Sequence, residues 1–272
     1  MDPRLQRRVQ RYGWDRAADS YERYWSAQLE PAQRRMLEMA ALAPGEHVLD
    51  VACGTGLVTF RAAELVGASG TVLGTDLSDG MVARLRAEAL RRGTTNVSAR
   101  RCDAEMLDLP NDSFDVALCA LGLMYVPDPV QALREMRRVV RADGRVATAV
   151  WGARSACGWA EIFPIVERRV ASDVCPLFFQ LGTGDALRWA MERAELGDVI
   201  VDRIVTTLRY DSADAACGAA FAGGPVALAY SHFDAATRAS AHAEYLASIA
   251  AFRTGAGYAI PGEFVIAVAR VA

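Results

Sequence analysis

Short apolar runs alternate with longer stretches of helical periodicity between positions 47 and 151, a pattern that predicts strands separated by helices. Val48-Leu49-Asp50-Val51 reads as a first strand, and the small residues Ala52, Cys53, Gly54, Thr55 and Gly56 follow it directly. Helical spacing resumes from Leu57 to Val66. Thr71–Asp76 and Val97–Arg101 predict the second and third strands, and the run from Phe114 to Ala120 the fourth. A helix is expected from Val130 to Arg141, an Asp143-Gly144 turn after it, and a fifth strand from Arg145 to Trp151. Strands regularly interleaved with helices predict an α/β fold around a mostly parallel sheet.

The flanks extend this pattern. Residues 4–41 predict two helices broken near Glu30-Pro31. After the core come an amphipathic helix (Trp159 to Ala171), the run Cys175-Pro176-Leu177-Phe178-Phe179, a helix from Gly184 to Ala194 and a strand from Val199 to Tyr210. Two further helices flank the Gly223-Gly224-Pro225 break, one of them from Thr237 to Ala251, before a last strand from Glu263 to Val271. The expected organisation is a helical lid (1–41), a ligand-binding core (42–151), a cap insertion (152–182), a core continuation (183–210), a second cap insertion (211–262) and a final strand (263–272).

The first strand–turn–helix unit carries the chemistry. Small residues at 52, 54 and 56 let backbone approach a ligand closely, and the amides of a new helix add donors. A dinucleotide fingerprint would need glycine at 52, 54 and 57, where this chain has Ala52, Gly54 and Leu57. A P-loop needs Gly-Lys, and the chain has no lysine at all; its thirty basic residues are arginine.

The turn resembles motif I of the class I S-adenosylmethionine-dependent methyltransferases, and the following segments match in order. Asp76 ends the second strand, Cys102-Asp103-Ala104-Glu105 follows the third, and Leu109-Pro110-Asn111-Asp112-Ser113-Phe114-Asp115 leads into the fourth. In motif style the match is nearest to the methyltransferases of ubiquinone and menaquinone biosynthesis. The resemblance implies a Rossmann-like seven-stranded sheet in the order 3-2-1-4-5-7-6, with helices on both faces and the last strand antiparallel. It also implies S-adenosylmethionine as cofactor, with S-adenosylhomocysteine as product, and neither NAD nor a metal. On this reading Asp76 takes the ribose hydroxyls, Asp103 the adenine amine, and Ala104 offers its amide. Leu77 lies against the adenine. Asp50, Ala52, Gly54, Thr55 and Gly56 form the binding turn, and Met81 and Ala120 complete the wall. Asp50 has a rival role in bracing the loop, and Asp103 in capping a helix.

Trp14, Tyr21, Tyr24 and Trp25 sit in a run that resembles the A-x-x-Y helix with which small-molecule methyltransferases close over the cofactor; Tyr21 is the matching tyrosine. Core packing is the plainer reading of such aromatics. The arginines at 4, 7, 8 and 11 read as a solvated helix face. For acid–base chemistry His232 is the first candidate, because imidazole titrates near neutral pH, and Tyr125 the second. Leu123, Met124 and Tyr125 stand where the quinone-methylating relatives carry histidine. Aromatics in the covering segments (Trp159, Phe178, Phe179, Phe221, Tyr230, Phe233) suit an apolar, ring-bearing methyl acceptor, unless they serve their own core or a subunit interface.

Composition narrows the rest. The 272 residues are 52% hydrophobic and 23% charged, with a net charge of -3. That excludes a disordered chain and gives no basic surface for nucleic acid or anionic membrane. No apolar run reaches the ~20 residues of a membrane helix. The first residues lack a signal-like apolar core, so a cytoplasmic enzyme is expected. Six cysteines (53, 102, 119, 157, 175, 217) show no C-x-x-C spacing and read as reduced structural thiols. Two alternatives stay open: thiol-dependent chemistry of the arsenite methyltransferase type at Cys102, Cys175 and Cys217, and a catalytically silent cofactor-binding partner subunit. Homo-oligomerisation is open as well.

Overall fold

The structure, a computed structural model, describes residues 3–170 and 177–272. Strands β1 (His47–Val51), β2 (Thr71–Asp76), β3 (Val97–Arg101), β4 (Phe114–Ala120) and β5 (Val140–Trp151) pair in parallel. The long strands β6 (Gly197–Tyr210) and β8 (Gly257–Arg270) close the sheet antiparallel to each other, with β8 also antiparallel to β5. The order is β3-β2-β1-β4-β5-β8-β6. This is the expected 3-2-1-4-5-7-6 arrangement, with a two-residue strand β7 (Arg253–Thr254) added on β8. Strand order reverses between β1 and β4, so their carboxyl ends frame the crevice where such sheets bind ligands.

Local chemistry sets the helix starts. Ser78 Oγ accepts from Met81 N at the start of α4 (Asp79–Arg92), and Asp128 caps α5 (Pro129–Val139), whose Pro129 has no amide to leave unpaired. Helix α3 (Leu57–Val66) follows Gly56, which sits at φ 101°. An ideal Cβ on Gly56 would meet the Phe60 ring at 2.8 Å, so this glycine is a packing requirement of the helix.

Several boundaries differ from expectation. Helices α1 (Pro3–Ala17) and α2 (Tyr21–Ala40) break at residues 18–20, and Pro31 lies inside α2. The buried face Trp25, Leu29, Ala32, Met36, Leu37 and Ala40 is continuous across the proline and packs on the sheet. That packing outweighs the roughly 3 kcal/mol an interior proline costs. β5 begins at Val140 and carries Asp143 at φ 63° within it. β8 begins at Gly257 rather than Glu263 because residues from Tyr258 onward pair with β6.

The covering segments comprise α6 (Ile162–Val170), α8 (Ala213–Cys217) with a π-helical turn after it, α9 (Ala227–Ser231) and α10 (Ala235–Ser248). A short helix α7 (Ala186–Arg193) precedes β6. Ala171, Cys175 and Pro176, named in the sequence reading, lie outside the described residues. Gly218 and Gly223 admit the Tyr24 ring of α2, since a Cβ at either would press on it. No helix among the described residues is long and apolar enough to cross a membrane.

Candidate functional site

The carboxyl ends of β1 to β4 open into a cleft of about 790 Å³ beneath the N-terminal helices. Its floor is the turn after β1. Ala52 (φ 55°) and Gly54 (φ 56°) are both left-handed there, and so is Leu121 (φ 60°) after β4. Left-handed non-glycine residues cost about 1–3 kcal/mol each and gather at functional sites. The two turns touch: a Cβ on Gly122 would overlap the Ala52 methyl, so only glycine lets them meet.

Asp76 stands at the end of β2 and faces the cleft. Its Oδ2 accepts from Gly54 N at 2.9 Å, and its Oδ1 from Ser78 N at 2.9 Å. Burial pushes its carboxyl up to about 6, against the pull of those two amides, and Asp15 pushes it further. A carboxylate held this way has spare lone pairs and gains from further hydroxyl donors. Leu77, Met81, Asp103, Ala104 and Ala120 line the same cleft, as do Tyr21 and Tyr125. The Tyr21 phenol is pushed well above its ordinary value, by burial first and then by Asp76 and Asp50, and stays protonated.

Helix α1 covers the cleft through one polar face. Arg7, Arg11 and Asp15 are spaced by four residues and so share that face, and Asp19 follows in the turn after the helix. Arg7 Nε pairs with Glu105 Oε2 at 2.7 Å and Asp103 Oδ2 at 3.1 Å, and Arg11 with Asp79 at 2.5 Å. Asp15 Oδ1 accepts from Ser78 Oγ at 2.5 Å and from Gly80 N at 2.9 Å, which seats it on the N-terminus of α4. Asp19 pairs with Arg84. Asp15→Ala removes the two bonds to α4 and is expected to loosen α1 by about 1–2 kcal/mol. Hydrogen exchange should then speed up across residues 3–17 while β1 and β4 stay protected; unchanged exchange would refute the latch.

A second, smaller cavity shares Trp14, Tyr21, Leu121 and Tyr125 with the cleft. Trp25, Trp151, Trp159, Phe178, Met124 and Pro225 are among its other walls. Trp14 meets Tyr21 and Tyr125 edge-on, with ring centroids 5.7 and 5.1 Å apart. Trp151 and Trp159 lie 4.9 Å apart, and Trp159 and Phe178 5.5 Å. Aromatic edges and faces thus form the partition between the two spaces and the lining of the inner one.

Four of the sequence candidates are not in these walls. Asp50 is buried behind the turn, its Oδ2 accepting from Thr59 Oγ1 at 2.6 Å. Thr55 is buried, and Gly56 serves the start of α3. His232 is exposed at the end of α9 and lines neither cavity, because α9 turns its other side to α1: Gly13 of α1 faces Leu228. His242 bonds the Tyr230 hydroxyl at 2.9 Å within the cap, and His47 bonds Thr71 at the opposite end of the sheet. Of the cysteine trio, Cys102 lines the cleft and Cys217 is buried in the cap. Among the described residues no group of three or more histidine, cysteine or acidic side chains could hold a metal.

The sequence reading missed Arg7, Gln10, Arg11, Trp14, Ser78, Glu105 and Gly122 as wall residues. Arg7 and Arg11 are not a solvated face; they are the paired underside of α1. The four-residue spacing of the charges was the available signal, but their acidic partners are 68 to 98 residues away.

Residues 42–167 match the family described as methyltransferase domain. Aklanonic acid methyltransferase DauC from Streptomyces sp. (strain C5) is 36% identical over 134 residues, 49% of this chain and 61% of that protein. Nocamycin O-methyltransferase from Saccharothrix syringae is 38% identical over 133 residues, 49% and 48% of the two chains. The ubiquinone/menaquinone biosynthesis C-methyltransferase UbiE of Cellvibrio japonicus is 37% identical over 115 residues, 42% and 46%. The chain spans about half the length of the curated relatives it matches. In fold it resembles the crystal structure of YcgJ protein from Bacillus subtilis, with a TM-score of 0.63 at 18% identity over 89% of this chain and 99% of that one. The motif turn lies inside this matched segment, and the sheet has the strand order that the resemblance implied, so residues 42–167 are similar in sequence to a methyltransferase domain and sit on the corresponding fold.

Proposed function

We propose that this chain transfers a methyl group from S-adenosylmethionine to oxygen or carbon of a small, ring-bearing acceptor. The observation that carries this is the pairing of a polar cleft at the carboxyl ends of β1 to β4 with an aromatic cavity sharing one wall. S-adenosylmethionine, when bound, supplies a methyl group on a cationic sulfur that an aligned nucleophile displaces. Its fit to the cleft rests on Asp76, a buried carboxylate with lone pairs left over for two ribose hydroxyls. Asp103 and the Ala104 amide, in the wall of the same cleft, would take the adenine edge, and Gly54 would let the cofactor approach the backbone closely.

Tyr21, Trp14 and Tyr125 stand on the partition. Their ring faces favour a positive charge, and the rings together exclude water from the reacting atoms. No histidine or carboxylate is among the described walls of the aromatic cavity. The acceptor must therefore bring an acidic hydroxyl or an activated carbon of its own. The protein's share of the catalysis is alignment and desolvation. Nocamycin O-methyltransferase and the UbiE C-methyltransferase are named for oxygen and carbon transfer respectively, which fits either outcome. The five cysteines among the described residues are free, which suits a reducing, cytoplasmic setting. Self-association would use the sheet edge at β6, where Ile200 and Val205 are exposed.

Calorimetry with S-adenosylmethionine, S-adenosylhomocysteine and NAD tests the cofactor reading. The two adenosyl ligands are expected to bind and NAD is not; the reverse would sink it. Turnover of labelled cofactor against a panel of phenols, enols and quinols tests the reaction. Tight S-adenosylhomocysteine binding without turnover of any member would favour the silent partner subunit instead.

A further inference from the structure

We propose that the aromatic cavity selects an uncharged ring acceptor carrying carbonyl-type oxygen, held by the indole N–H groups of Trp25 and Trp159. This deepens the methyl-transfer reading and rests on it. Both indole nitrogens are buried and have no hydrogen-bond partner, and both residues line this one cavity. Trp25 is 6% exposed and Trp159 4%, so both indoles are withdrawn from bulk solvent. Buried indole N–H groups ordinarily find an acceptor, and an unmade bond is costly.

Two glycines pack beside one of them. An ideal Cβ on Gly223 would come within 3.2 Å of Trp25 Nε1, and one on Gly224 within 3.8 Å. The Gly223-Gly224-Pro225 break, which the sequence shows only as an interruption between helices, thus sets backbone without side chains beside that N–H. Gly224 and Pro225 themselves line the cavity.

The donor set dictates the ligand chemistry. Indole N–H donates and never accepts, so it rewards oxygen acceptors and gives nothing to an ammonium group. None of the described lining residues is charged, which disfavours an ionised group at this depth. Trp25, Trp151 and Trp159 meet edge-to-face at 6.1, 6.2 and 4.9 Å, and such aromatic walls favour a ring-bearing ligand. Other buried unpartnered atoms, such as Gln33 Oε1 and Thr148 Oγ1, line neither this cavity nor the cleft.

The test uses the full chain saturated with S-adenosylhomocysteine and the matched probes 1-tetralone and tetralin, which differ by one carbonyl. Wild type is expected to bind 1-tetralone about fivefold or more tightly than tetralin, the net worth of a neutral hydrogen bond. Trp25→Phe and Trp159→Phe keep the ring and remove the donor. Each should reduce that preference, and the double variant should abolish it, with tetralin and S-adenosylhomocysteine affinities unchanged. A second measurement needs no variant: 1-tetralone, and not tetralin, should shift the indole N–H proton resonances of Trp25 and Trp159 in wild type. Equal affinity for the two probes, or unmoved indole resonances, would overturn the proposal while leaving the cofactor reading intact. Failure of S-adenosylhomocysteine to bind would overturn both.

Discussion

Asp76→Ala is expected to weaken S-adenosylhomocysteine binding by roughly 2–3 kcal/mol, about 30- to 150-fold, as the loss of charge-assisted hydrogen bonds does. The carboxylate has two tasks. It holds the turn, through Gly54 N and Ser78 N, and it presents its remaining lone pairs to the cleft. Asp76→Asn separates them, because it keeps the shape and one oxygen while losing the charge. The amide variant should retain the wild-type melting profile more closely than the alanine variant and still bind less tightly. The wild-type pH profile adds a check. Burial raises the Asp76 carboxyl to about 6, and donors arriving from a ligand favour its ionised form. Affinity should therefore rise as pH goes from 5 to 7, and the rise should vanish in Asp76→Asn. Calorimetry at the two pH values reads both effects; an unchanged dissociation constant in Asp76→Ala would move the hydroxyl contact elsewhere.

The core and most of this cleft are legible in the sequence because their signals are local. β1, β2 and β3 end where an acid or a small residue interrupts an apolar run, and the glycine turn announces a close backbone approach. Asp76, Asp103 and Ala104 follow from counting along the chain. The roof is not local. Nothing in the sequence near Arg7 points to Glu105, and nothing near Asp15 points to the N-terminus of α4; those pairs exist only once α1 packs against α4 and the segment after β3. Pro31 misleads for a related reason. Its local cost is real, but the buried face running from Trp25 to Ala40 overrides it. His232 misleads in the opposite sense, since a histidine in a roof segment draws attention by its chemistry while the rotation of a five-residue helix decides where it faces. The indole N–H groups were invisible as a pair, because Trp25 and Trp159 meet only through the packing of α2 against the segment after β5.

Asp50→Asn is expected to reverse part of the pH dependence of folding. Asp50 lies almost wholly buried at the end of β1, and burial raises its carboxyl to about 7, against the Thr59 hydroxyl bond that lowers it. Its ordinary value, and that of the unfolded chain, is 3.8. Below that pH both states hold the proton and the group costs the fold nothing. As pH rises from 3.8 the unfolded chain releases its proton while the folded chain keeps it, so stability falls until about pH 7 and is flat above. At 1.36 kcal/mol per unit the full cost is up to about 4 kcal/mol, and roughly 2–3 kcal/mol of it accrues between pH 5 and pH 7. The asparagine variant carries no such titration. Its amide adds a pH-independent penalty, since one buried N–H₂ group needs partners the site was not built to give. The measurable quantity is therefore a slope: relative to wild type, Asp50→Asn should gain about 2–3 kcal/mol of stability between pH 5 and pH 7.5 in denaturant titrations. Parallel pH profiles would place the Asp50 proton elsewhere. Asp76 adds to burial in raising the Asp50 carboxyl, so the two acids at the ends of β1 and β2 are coupled, and the Asp50→Asn slope also reads how far Asp76 contributes.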